Sequence, residues 1–229
     1  WARRRILVDV VWCYRALGRE GPAAEAFLLL ARDGASEADY ACAPLVWWPS
    51  EPSAELQRAA RQWMERHDLP AAVLLGASHL LSIDQAASLA ALKRLMVEAD
   101  GVVAQLAAAQ AWRAQVATAG DETIAAWRDA VARLPEALRP GPSYVVGLAL
   151  AQRGQFERAA LAMLEGPIQT PEQRDLAAHA LWGAGQSLQS SGDTAAAARL
   201  YRELIEHHPE STPAAEARRR WEELSGEQR

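Results

Sequence analysis

The sequence predicts an all-α fold, a right-handed helical-repeat solenoid of about a dozen helices, and three observations carry that expectation. Alanine supplies 50 of 229 residues, against only 2 Phe and 4 Tyr, a composition suited to closely packed helices and poor in strand formers. Apolar residues recur at helical spacing between Ser, Thr, Pro and Gly punctuation. No segment alternates apolar and polar side chains as a half-buried strand does. The one strand-like run, Leu45-Val46-Trp47-Trp48, is isolated as a loop by Pro44 and Pro49.

Length and charge narrow the classes further. A chain of 229 residues reads as one or two domains, and 50% apolar against 23% charged residues is a globular composition. No apolar run approaches the roughly 18 residues of a membrane span, so no membrane insertion is expected. The 24 basic and 29 acidic side chains are spread through both halves, and without a basic face no nucleic-acid partner is expected. Arg3-Arg4-Arg5 and Arg218-Arg219-Arg220 read as solvated helix faces. The chain opens at Trp1 and not at methionine, which reads as a fragment or a processed form.

Taken in order, the first segment is a helical hairpin that turns at Gly21-Pro22, with Cys13 in a helix core beside Val11, Trp12 and Tyr14. Ser53 caps a helix from Ala54 to His67, and Leu69-Pro70 opens another that runs through Leu81. Ser82-Ile83-Asp84-Gln85 is a capping box starting a helix to about Ala99. Asp100-Gly101 divides this from a helix over Val102 to Thr118, and Gly120-Asp121 precedes one ending near Leu134-Pro135. Thr170-Pro171-Glu172-Gln173 is a helix start with proline at the first position, and Thr212-Pro213 repeats that cap before Ala214 to Leu224.

The C-terminal part repeats. Gly185, Gly192, Ala197, Tyr201 and Pro209 fall seven, five, four and eight residues apart, and Gly147, Gly154 and Ala159 answer to the first three at a displacement of 38. In the second set Met163 takes the aromatic position and Gly166-Pro167 breaks the helix early. Small residues at Gly185 and Ala197 let two helices approach to about 8 Å while Leu188 and Tyr201 fill the flanking layers. The spacing over Ala178 to Pro209 resembles the tetratricopeptide repeat, with Leu181, Ala184 and Leu188 standing where Trp, Leu and Tyr are usual; a weaker copy covers about Pro140 to Gln173. Leu17, Gly21, Ala26 and Leu30 suggest a degenerate third copy. The expected organisation is therefore 1–139, irregular HEAT- or tetratricopeptide-like hairpins with a Trp-rich loop at 44–53, then 140–229, tetratricopeptide-like repeats with a C-terminal capping helix.

Side chains that carry chemistry are sparse. His67, His79, His179, His207 and His208 show no metal-ligand spacing, and Cys13 and Cys42 no Cys-x-x-Cys, so no metal is expected. The cysteines read as free buried thiols, with a mutual disulfide as the alternative. Without Gly-x-Ser-x-Gly or a glycine-rich phosphate loop, no catalysis and no cofactor are expected. Of nine tryptophans, Trp12, Trp63, Trp112, Trp127 and Trp221 lie in helical apolar stripes and read as core. Trp47 and Trp48 read either as a plug over the adjacent hairpin or as an aromatic anchor for a partner.

The resemblance implies a non-catalytic scaffold that binds a protein or peptide in a concave groove lined by the first helix of each repeat. Projected onto this chain, that face is His179, Trp182, Gln186 and Gln189, continued by Tyr144, Leu148 and Gln152. The glutamine amides suit a peptide backbone and the rings supply apolar area; the competing reading makes Trp182 an inter-repeat core residue. Pro209-Glu210-Ser211 followed by Ala214, Ala215 and Ala217 is similar to repeats of bacterial periplasmic and envelope-assembly proteins, which implies an extracytoplasmic location. Two other roles stay open: a helical accessory domain of a larger protein, and a structural subunit that self-assembles as a homo-oligomer.

Overall fold

In the computed structural model, which describes residues 2–226, every regular element is helical and no strand forms among the described residues. The residue at Trp1 lies outside them. The chain divides into two compact units: residues up to Gln115 with Leu134–Leu138, and Val116–Arg133 with the chain from Arg139 onward.

The first unit holds α1 (Ala2–Ala16), α2 (Glu20–Arg32), α3 (Ala54–Met64), α4 (Pro70–Leu80), α5 (Gln85–Glu98) and α6 (Gly101–Trp112). α4 is its centre. All residues from Ala71 to Leu80 are buried, as befits a helix that is apolar around its whole circumference, and α2, α3, α5 and α6 pack around it. Pro70 occupies its first turn, where no backbone donor is needed, and the Ser53 hydroxyl accepts from Leu56 N–H to start α3.

Segment 42–47 has no regular structure beyond Cys42, yet it is buried. A buried backbone must find partners, and here side chains from distant helices supply them. The Ser78 hydroxyl both accepts from Val46 N–H at 2.9 Å and donates to Val46 O at 3.2 Å. Gln110 Nε2 donates to Val46 O at 3.0 Å, and His79 Nε2 meets Pro44 O at 3.1 Å. The Arg113 guanidinium ties the set together by donating to Ser78 O, Gln110 Oε1 and Trp48 O. Trp47, 5% exposed, is therefore a plug; it is not an open anchor, because the network fixes the backbone on either side of it, at Val46 and Trp48, against the core. Trp48 is half-buried beside it.

The second unit comprises α7 (Asp121–Ala132), α8 (Pro140–Gln152), α9 (Phe156–Gln169), α10 (Arg174–Ser191), α11 (Thr194–His207) and α12 (Ala214–Gly226). Each helix packs on the next, and α8 also reaches α10, the neighbour relation of an all-α helical repeat. Gly192 closes α10 at φ +92°, a left-handed cap that glycine adopts without strain, and Asp193 then accepts from Ala196 N–H to start α11.

Several boundaries differ from the sequence expectation for physical reasons. The first turn falls at Leu17–Arg19, with Gly18 at φ +65°, and Gly21-Pro22 enter the first turn of α2, where donors are orphaned and proline is tolerated. Asp84, not Ser82, caps α5 by accepting from Ala87 N–H. α6 ends at Trp112 and a short 3-10 turn follows, because Arg113 is drawn inward by its hydrogen bonds. α9 passes through Gly166-Pro167 to Gln169, and both the N–H and the hydroxyl of Thr170 bond Gly166 O at its end. α10 consequently starts at Arg174, three residues beyond Pro171. Cys42 is buried but Cys13 is exposed, since it lies on the outer face of α1; both are free.

Candidate partner-binding surface

The repeats of the second unit are set by glycines facing large side chains. A Cβ on Gly185 would fall 2.4 Å from Tyr201 Cε1, and one on Gly147 would fall 2.5 Å from Met163 Cγ and 3.0 Å from Ala159 O. The side chain that fills the space at Gly185 is thus Tyr201, and Ala197 is fully buried in the same cluster as Tyr201. Gly183 performs the same service toward α9, where a Cβ would meet Met163 Sδ at 2.6 Å. These contacts hold α10 between α9 and α11 and fix which of its faces stays open.

On that open face Gln186 is exposed, and His179, Trp182 and Gln189 are half-buried. The Trp182 ring lies against Tyr201, centroids 5.4 Å apart and planes inclined at 39°, so one side of the indole belongs to the last repeat's core. The Tyr201 hydroxyl donates to Gln189 Oε1 at 2.9 Å, which ties the Gln189 amide to the last repeat. Burial pushes the His179 imidazole down to about 4, so it is neutral at pH 7.

α8 contributes less. Gln152 is exposed and Leu148 half-buried, but Tyr144 is only 4% exposed: its ring lies across from Gly183, within 3.8 Å of where a Cβ would stand. It therefore supports the α8–α10 packing and offers no open ring. Trp47 and Trp48, in the first unit, are the plug described above.

The sequence reading missed a second opening in the same unit. A cleft of about 390 Å³ lies between α7, α8 and α9, on the side of α8 given by Ser143, Val146 and Leu150 and not by Leu148 and Gln152. Its signal in the sequence was Leu161, an aliphatic residue on the polar face of α9 that is 72% exposed.

Residues 179–211 match the family model described as tetratricopeptide repeat. The match runs from α10 through α11 to the turn before α12, and with the all-helical architecture it makes this a tetratricopeptide-like helical-repeat protein. No curated protein and no solved structure gives a significant match to the chain.

Among the described residues no group of three His, Cys, Asp or Glu side chains is placed to hold a metal ion, and no helix is long and apolar enough to cross a membrane.

Proposed function

We propose that this protein is a non-catalytic interaction scaffold whose C-terminal repeats hold an extended segment of a protein partner along α10, continued at its side by Leu148 and Gln152 of α8. One observation carries the reading: the outer stripe of α10 presents the exposed Gln186 amide with the half-buried Gln189 and Trp182 beside it. Amides pair with a peptide backbone without charge, and an indole adds apolar contact at little entropic cost. Repeats of the family that residues 179–211 resemble generally mediate protein interactions, which agrees with this use of the surface.

Site-directed photocrosslinking tests it. A benzophenone side chain at position 186 should give a discrete crosslinked partner, whereas the same group at Arg202, on the outer face of α11, should not. Gln186→Arg should weaken binding of that partner by about tenfold with an unchanged melting temperature. Crosslinking from position 202 and not from position 186 rejects the proposal.

A further inference from the structure

The Arg-rimmed cleft between α7, α8 and α9 is a separate surface from the α10 stripe. Its floor is apolar, formed by Val131 of α7, Val146 and Leu150 of α8, and Ala162 of α9, with Leu161 as an exposed wall. Arg128, Arg139 and Arg158 line it against one carboxylate, Glu165, and the Arg139 guanidinium is itself engaged, donating to Ala132 O at 3.1 Å. That carboxylate is already engaged, since the buried Ser143 hydroxyl donates to it. Arg158 donates to the neutral Gln155 amide, and Arg128 and Arg158 pair with no carboxylate among the described residues.

Charge decides what fits. The chain as a whole carries −5, and a cleft of opposite sign within an acidic protein favours carboxylates over other ligands and raises their local concentration. The apolar surface also extends beyond the cleft. Ile168, 77% exposed, lies seven residues after Leu161, on the same side of α9 and about 10 Å further along it. Two aliphatic anchors at that separation match apolar residues placed i and i+7 on a second helix.

We infer that this cleft docks an acidic amphipathic helix of a protein partner, its apolar stripe on Leu161, Ile168 and the floor between α7 and α8, and its Asp or Glu side chains on Arg128 and Arg158. The inference is independent of the α10 groove, which lies on other faces of the repeats.

Fluorescence anisotropy on the full chain at physiological ionic strength provides the test. The probe is a labelled synthetic helix with Leu at every third or fourth position and Glu between. Saturable binding is expected, weakened by about tenfold or more in the same helix with Lys for Glu, and again in the one with Ala for Leu. Leu161→Glu and the double variant Arg128→Glu, Arg158→Glu should each lose binding to a similar extent. Both act at exposed positions, and circular dichroism should show unchanged melting. Gln186→Arg should leave this binding intact, which separates failure here from failure of the groove. Absence of saturable binding, indifference to the sign of the peptide charge, or indifference to both cleft variants would overturn the inference. So would a stronger response to phosphatidylglycerol vesicles that the same variants abolish, since the patch would then be a lipid-facing surface.

Discussion

Gly185 and Tyr201 share one space: the tyrosine ring fills the position where any other residue would carry its Cβ, 2.4 Å from Tyr201 Cε1. Gly147 and Met163 stand in the same relation 38 residues earlier, the larger partner again following its glycine by sixteen positions. In the first unit the order is reversed. A Cβ on Gly76 of α4 would meet Ala60 O at 2.4 Å and Met64 Cγ at 2.7 Å, both on the preceding α3.

Gly185→Ala should therefore destabilise the second unit, although a helical Gly→Ala exchange ordinarily stabilises by about 1 kcal/mol. Overpacking against the ring is expected to cost about 1–3 kcal/mol, read from the urea midpoint. An increase in stability would show that the Tyr201 ring has room to move aside.

Gln110→Leu should cost about 1–3 kcal/mol, because it removes a donor to the buried Val46 carbonyl and an acceptor of the Arg113 guanidinium. Chemical denaturation should show the loss, whereas Arg58→Ala, at a solvent-facing helix position, should change little. Equal small effects from both would mean that segment 42–48 is held by apolar burial alone.

Acid should loosen the first unit through His79. Burial holds its imidazole down at about 4, its Nε2 facing Pro44 O, with Arg113 near and Glu20 Oε2 3.9 Å from Nδ1. The short separation from Glu20 does not make an ion pair at neutral pH, since desolvation outweighs the half-exposed carboxylate. Between pH 6.5 and 4 the unfolded chain takes up a proton that the folded chain refuses, so stability falls as pH drops through that window and is unaffected above it. At pH 5 the difference is about 2 kcal/mol. His79→Gln should shrink the drop between pH 7 and pH 5; the contribution of His179, also held near 4, should persist. A drop identical in wild type and variant would exclude His79 as its source.

The two thiols should separate in reactivity. Cys13 is exposed, while burial pushes the Cys42 thiol up to about 12 and its S–H donates to Asp39 O. Iodoacetamide at pH 8 should label one cysteine in the native chain and two after unfolding in guanidinium, counted by mass spectrometry. Rapid native labelling at Cys42 would contradict its placement.

The sequence by itself determined the helical class, most helix starts and the 38-residue recurrence of small residues, because these follow from local rules: backbone bonds four residues apart, caps and proline positions. It also contained the stripe on α10, read from spacing. Only the tertiary structure decided that Tyr201 fills the space beside Gly185, that Tyr144 turns inward, and that Pro44 to Trp47 sink into the core. Those outcomes depend on partners far away in sequence. Val46 is satisfied by Ser78 and Gln110, 32 and 64 positions distant, and no local pattern announces a donor that another helix will bring. The same holds for the cleft, whose arginines come from three separate segments and whose floor exists only once α7, α8 and α9 have packed.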